Sequence, residues 1–259
     1  MRHKKLVVAF SAALFATIIF LSACLIFTVR NVTVDYTCTT KKTEEEIVQA
    51  KQRLEDFLGK NVFSVNEDEV VATLSDNPYV KVISVSVNLP ARLSVKVEER
   101  AEFYCVRNGD KYYNLTKENY VLCEIGSNQA RLDGEPLALI DGDTVPMNVN
   151  GEFKTEDVLM NTAISLINAF DDVRNEIISV TVDRYNEDSA SSHNEWNRIT
   201  VQTREGAIFT ITEANVFSDR KVALVASVYS MLEFEERTNG SVLIFTGEND
   251  TVGYEISVG

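Results

Sequence analysis

The sequence predicts an α+β protein in three parts: an N-terminal apolar helix, a small β-α-α-β-β domain, and a larger mixed β-sheet domain with helices on one face. Three observations predict it. No charged residue occurs between Leu6 and Val29. Residues 41–100 pass from helical to two-residue periodicity, with a Leu89-Pro90 corner between two alternating runs. Beyond Arg100, short alternating runs separated by Gly- and Asn-containing turns dominate, broken by two helical stripes.

The apolar run, as a helix, is about 36 Å long and spans the hydrocarbon layer. Arg2, Lys4 and Lys5 precede it and only Arg30 follows closely, so residues 1–5 are expected in the cytoplasm and Asn31 onward outside. A second processing outcome competes with the anchor. Leu21-Ser22-Ala23-Cys24 resembles a lipoprotein signal, in which Cys24 is acylated; Leu25-Ile26-Phe27 continue the apolar run and favour the retained anchor.

Within the small domain, residues 31–35 alternate as a first strand. Thr43 with Glu46 forms a capping box, and Ile47, Ala50, Leu54, Phe57 and Leu58 mark a helix face that ends at Gly59. Asn66 with Glu69 opens a second helix with Val70, Val71 and Leu74 on its apolar face, and Asn77-Pro78 stops it. Ile83, Val85 and Val87 then point one way, as do Leu93, Val95 and Val97 after the corner.

Residues Gly59-Lys60-Asn61-Val62-Phe63, Asn77-Pro78-Tyr79-Val80-Lys81, Leu89-Pro90-Ala91-Arg92-Leu93 and Val97-Glu98-Glu99-Arg100, in that order behind an apolar helix, resemble the POTRA domain of the bacterial cell-division family FtsQ/DivIB. Ala101-Glu102 stand where the family often carries a proline. The resemblance implies a cytoplasmic tail over 1–5, a transmembrane helix over 6–29, a POTRA domain over 30–100 and a β domain over 101–259.

In that second domain residues 103–106, 111–114 and 120–125 read as a meander. Leu159, Met160, Ala163, Ile164, Ile167 and Phe170 mark a helix, and residues 177–182 a strand. Residues 186–194 form a polar loop, and residues 198–202 and 207–211 a hairpin. A helix carrying Val222, Leu224, Val225, Val228 and Leu232 follows, with Ser218 as its cap. Strands over 242–245 and 252–258 end the chain. Cys105 and Cys123 are placed in strands flanking a middle strand near Tyr112, too far apart for a disulfide. With Cys38 they make three cysteines outside the membrane, expected as thiols.

The 259 residues carry a net charge of -14, which disfavours nucleic acid and anionic lipid as partners of the soluble part. Only two histidines occur, His3 in the tail and His193 in the polar loop, and no phosphate-binding, dinucleotide, zinc or calcium motif is present. The acidic pairs Asp171-Asp172 and Glu235-Glu236 read as solvated faces. No catalytic residue, cofactor or metal is therefore assigned, and function is expected in surfaces. The final strand is the candidate: Val252, Tyr254, Ile256 and Val258 face one way, Gly253 and Glu255 the other, with neither Lys nor Pro as an edge guard. The resemblance implies that this strand engages small bitopic partners of the FtsB/DivIC and FtsL kinds, that the protein is a non-catalytic scaffold regulating septal peptidoglycan synthesis, and that it sits in the cell membrane at the septum. A lipid-anchored envelope protein with a ligand-binding or hydrolytic role is the alternative.

Overall fold

The computed structural model describes residues 11, 13–19, 22, 26–37, 41–131, 133–142, 146–184 and 197–259. Cys24, Cys38, His3, His193 and the whole loop over 186–194 lie outside these residues, as does the expected tail over 1–5. The chain divides into two compact units, residues 1–100 and 101–259.

In the first unit the described positions from 11 to 22, and Ile26, are helical. No helix among the described residues is long and apolar enough to cross a membrane. Phe27, Thr28 and Val29, the end of the expected span, belong instead to the packed body: Val29 is buried, Phe27 O accepts from Val62 N at 2.8 Å, and Thr28 bridges Asn61. Strand β1 (Asn31–Thr37) then leads to helix α1 (Lys41–Leu54), helix α2 (Glu67–Ser75), β2 (Val80–Asn88) and β3 (Arg92–Glu99). The sheet order is β1-β3-β2, with β1 parallel to β3 and β2 antiparallel to it. Ile47, Ala50, Leu54, Val70, Leu74, Leu93, Val95 and Val97 form the core between helices and sheet.

Local chemistry explains the boundaries and corrects several expectations. Asn66 caps α2 by accepting from Asp68 N at 2.9 Å, while Glu69 pairs with Lys60 at 2.9 Å rather than reaching back. Thr43 already lies inside α1, which starts at Lys41, and Glu46 accepts from Asn77 Nδ2 at 3.2 Å. Asn77 Oδ1 also takes Tyr79 N at 2.9 Å, closing the α2 exit as an Asx turn. Gly59 is left-handed, at φ 85°, after a short 3-10 turn over Glu55–Phe57. Leu58 and Val71 are exposed instead of buried. A bulge between Val82 and Ser84 turns Ile83 outward, so Val82, Val85 and Val87 are the residues facing the core. Arg100 donates to Pro78 O and Val80 O at 3.0 and 2.8 Å, which ties the end of β3 back to the start of β2.

The second unit is built on one ten-stranded sheet in the order β13-β12-β11-β10-β9-β7-β4-β5-β6-β8. The strands are β4 (Tyr104–Asn108), β5 (Lys111–Leu115), β6 (Tyr120–Ile125), β7 (Ala138–Asp141), β8 (Gly151–Glu152), β9 (Ile177–Asp183), β10 (Arg198–Thr203), β11 (Ile208–Ile211), β12 (Gly240–Thr246) and β13 (Val252–Val258). Helices α3 (Val158–Asn168), α4 (Val173–Glu176), α5 (Ser218–Met231) and α6 (Phe234–Asn239) complete it. The pairs β4-β7, β7-β9 and β11-β12 are parallel; the others are antiparallel.

Leu159, Met160, Ala163 and Ile167 of α3 and Val225 and Val228 of α5 close over Val180, Ile199, Val201, Phe209, Val242 and Ile244 of the sheet. The opposite side of β4 and β7 carries a smaller apolar cluster of Cys105, Ala130 and Leu137. Residues 138–140 are thus part of a central parallel strand, with Leu137 packed just before it. Phe217, left-handed at φ 52°, occupies the cap position of α5 and makes no side-chain cap bond; Ser218 is the first helical residue and not the cap.

Candidate functional site

Strand β13 follows β12 through a tight turn in which Asn249 and Asp250 are left-handed and Gly247 N donates to Thr251 O at 2.7 Å. It pairs along its full length with β12, from Val252 opposite Thr246 to Val258 opposite Gly240, and forms an end of the sheet. All the residues singled out in sequence, Val252, Gly253, Tyr254, Glu255, Ile256 and Val258, lie on this one strand. Tyr254 and Ile256 stand opposite the buried Ile244 and Val242, yet are 42% and 37% exposed, and Val258 is 51% exposed. The apolar layer of the core therefore runs out to the edge and past its cover, while Val252 remains packed on the core. Gly253 lies opposite Phe245, whose ring comes within 3.1 Å of where a Cβ would stand.

The two ends of the sheet contrast. Strand β8 is two residues long and carries an ion pair between Glu152 and Lys154, with Lys154 holding the Glu152 carboxyl below its ordinary value. Strand β13 has seven residues, and its single charge is Glu255. Short length and charge are the usual means of keeping an edge from pairing with another chain, so β8 is protected and β13 is not. Helix α6 lies against β12 and β13, and its first residue, Phe234, is 81% exposed; Met231, at the end of α5, is 59% exposed. These two apolar side chains were not singled out in the sequence, where neither falls on a helix stripe.

Chemistry of another kind is weakly represented. Among the described residues no group of three or more His, Cys, Asp or Glu side chains is arranged to hold a metal ion. Asp172 Oδ2 accepts from Asn175 Nδ2 at 2.7 Å and Glu236 Oε2 accepts from Glu233 N at 2.8 Å, so each acidic pair contributes a local helix-start bond. Cys105 and Cys123 are free thiols on either side of Asn114, which replaces Tyr112 as their shared neighbour. Asn114 donates to Glu102 Oε1 at 2.9 Å and to Gln129 O at 3.0 Å. Burial pushes the Cys105 thiol up to about 12, helped by the nearby Cys123 and Glu102 charges and opposed by a backbone hydrogen bond at Tyr113. A thiol so raised is a packing group rather than a nucleophile.

Residues 27–100 match the family model for the FtsQ-type POTRA domain. The chain is 31% identical over 110 residues to the cell division protein DivIB of Clostridium acetobutylicum, covering 42% of this chain and 41% of that protein. It is 27% identical over 64 residues to DivIB of Clostridium botulinum, a quarter (25%) of each chain. The match thus spans about two fifths of the longer-matching relative. Among solved structures, the major extracytoplasmic domain of DivIB from Geobacillus stearothermophilus, in its trans isomer, is similar over 54% of this chain and 93% of that one, at 12% identity and a TM-score of 0.29. On the family model, residues 27–100 are a POTRA domain of the FtsQ type, and over about two fifths of its length the chain is similar to the cell division protein DivIB.

Proposed function

We propose that this protein is a non-catalytic scaffold of the bacterial cell-division machinery, held in the cell membrane by the apolar segment from Leu6 to Ile26, with residues 31–259 outside and concentrated at the septum. The FtsQ-type POTRA domain over residues 27–100 and the similarity to DivIB proteins support a role in division. Leu14, Phe15, Ile18, Ile19 and Ile26 are each more than half exposed, which suits a helix whose neighbours are lipid chains. In this reading Val252, Gly253, Tyr254, Glu255, Ile256 and Val258 receive an extended segment of a small bitopic division protein of the FtsB/DivIC kind, alongside an FtsL-like one, and septal peptidoglycan synthesis is regulated through that assembly.

The observation that carries the proposal is the unguarded seven-residue edge of β13. Its backbone groups supply the affinity for an added strand, and exposed Tyr254, Ile256 and Val258 supply side-chain contacts on one face. Replacement of Tyr254 by Glu, or of Gly253 by Pro, is expected to abolish co-purification of the FtsB/DivIC-like partner while the circular dichroism spectrum stays that of the wild type. Undiminished co-purification by both folded variants would remove β13 as the docking strand.

A further inference from the structure

A cleft of about 400 Å³ opens at one end of the three-stranded sheet of the POTRA domain, and Arg30, Asn31, Asn88, Leu89 and Arg92 are among its lining residues. The strand order gathers them. Parallel β1 and β3 begin at the same end, with Asn31 beside Arg92, and β2 finishes there at Asn88. Ala91 O accepts from both Arg30 N and Asn31 N, at 2.8 and 3.3 Å, which pins the start of β1 to the Leu89-Pro90 corner and brings the two arginines to one cleft. No carboxylate lines it. The Arg92 guanidinium has no hydrogen bond or ion pair among the described residues, and beside it Leu89 is 60% exposed.

Charge and position decide what this cleft suits. The overall acidity is not shared evenly: residues 101–259 hold 12 Lys and Arg against 27 Asp and Glu, whereas residues 30–100 hold 10 against 12. The first unit is thus close to balanced, and the only formal charges lining the cleft are two guanidiniums. Arg30 follows Val29 directly, four residues beyond the last described helical position, Ile26. On the anchored reading given above, on which this inference rests, the cleft lies at the bilayer surface, where the headgroup layer is about 5–8 Å deep.

We propose that this cleft binds the phosphate of an anionic phospholipid headgroup, with Arg30 and Arg92 pairing to its oxygens and Leu89 resting among the first acyl carbons. Planar guanidiniums match phosphate oxygens in pairs, and their attraction is strengthened at an interface that water only partly screens. The exposed leucine selects the lipid over free phosphate: it gains nothing from an anion in bulk water and gains apolar contact at a membrane.

The test uses the full chain reconstituted into vesicles of phosphatidylcholine with a minor share of phosphatidylglycerol, then released in mild detergent for native mass spectrometry. The wild type is expected to retain phosphatidylglycerol in preference to phosphatidylcholine. The R30Q/R92Q variant should lose about tenfold in retention, a change of about 1.4 kcal/mol, and R30K/R92K should keep most of it. Equal retention by R30Q/R92Q, or equal retention of the two lipids, overturns the proposal. So does displacement of the lipid by millimolar inorganic phosphate at constant ionic strength, which would make the cleft a site for the free anion. Alkaline carbonate extraction separates the two ways of failing. A chain that stays in the membrane without selecting phosphatidylglycerol loses only the headgroup site, and a chain that is stripped off loses the anchor as well.

Discussion

Asp157 pairs with Arg184 while its carboxylate also caps α3, accepting from Leu159 N at 2.9 Å and Met160 N at 3.4 Å. Burial raises the Asp157 carboxyl, but the Arg184 pair and the two amides together outweigh it and hold the group below its ordinary 3.8. The first helix of the second unit is thereby fastened to the residue that follows β9. Asp157→Ala removes both roles and is expected to cost about 2–3 kcal/mol, whereas Asp157→Asn keeps the cap and should cost about half as much. Hydrogen exchange of the α3 amides measures both. Because the folded group titrates below the unfolded one, its contribution is complete above pH 3.8 and fades as pH falls through the lowered value.

At the alkaline end the sign is opposite. The Cys105 thiol keeps its proton to about 12 in the folded chain and has an ordinary value of 9.0. Its contribution is intact below pH 9.0 and is lost as pH rises toward 12. Between pH 9 and 11 the stability of the second unit should fall by up to about 1.4 kcal/mol per pH unit from this group. Cys105→Ala should fall less steeply, as urea titrations at a series of pH values would record. The Tyr104 phenol, also raised by burial, adds to the loss only above its ordinary 10.0.

Gly206, at φ 121°, lies where a Cβ would run into the Thr238 carbonyl. Both the conformation and the space reject a side chain. Gly206→Ala is expected to destabilise by about 3 kcal/mol or more, visible as a drop in thermal midpoint and soluble yield. A midpoint within a degree of the wild type would show that the β10-β11 turn moves to make room.

The β2 bulge makes a prediction that simple alternation does not. Ile83 is 40% exposed while Val85 packs on the core. Ile83→Thr should lie within about 0.5 kcal/mol of the wild type, and Val85→Thr should cost about 1 kcal/mol or more through its buried hydroxyl. Thermal melts of the two variants compare them directly.

Lys221 was invisible as a core residue in the sequence, yet it is fully buried, with Nζ donating to Thr212 O at 2.8 Å and Glu213 O at 2.9 Å. Burial lowers its pKa from the ordinary 10.5, against the opposing influence of Glu213. Lys221→Ala should cost about 2 kcal/mol by removing the ammonium donor from Thr212 O and from Glu213 O, which keeps only its bond from Val216 N, more than Lys221→Arg, as urea titration would show.

The order of elements in the POTRA domain was legible because its stops are chemical: Asn66 as a cap, Asn77-Pro78 as a stop and Gly59 as a left-handed residue each act within a few residues of themselves. The apolar, unguarded character of residues 252–258 was legible for the same reason. What failed depended on counting across turns or on distant partners. Placing Tyr112 rather than Asn114 beside Cys105 shifts the β4-β5 register by two residues; with Gly109 inside the loop, at φ 63°, Asn108 closes the turn against Lys111. The Ile83 bulge breaks a period-two count within one strand. Strand β7 is four residues long and gains its identity only from β4 and β9, whose sequences lie far from it. Helix α6 has six residues and buries none of them, so no stripe announces it.

Strand β7 also has a mechanical consequence. Within the sheet it is the strand that joins β4, β5, β6 and β8 to β9–β13, through four register pairs with β4 and three with β9. A load applied across the sheet would concentrate on this narrow slat, sliding parallel neighbours past one another while the broader panels on each side, mostly antiparallel, keep their shape.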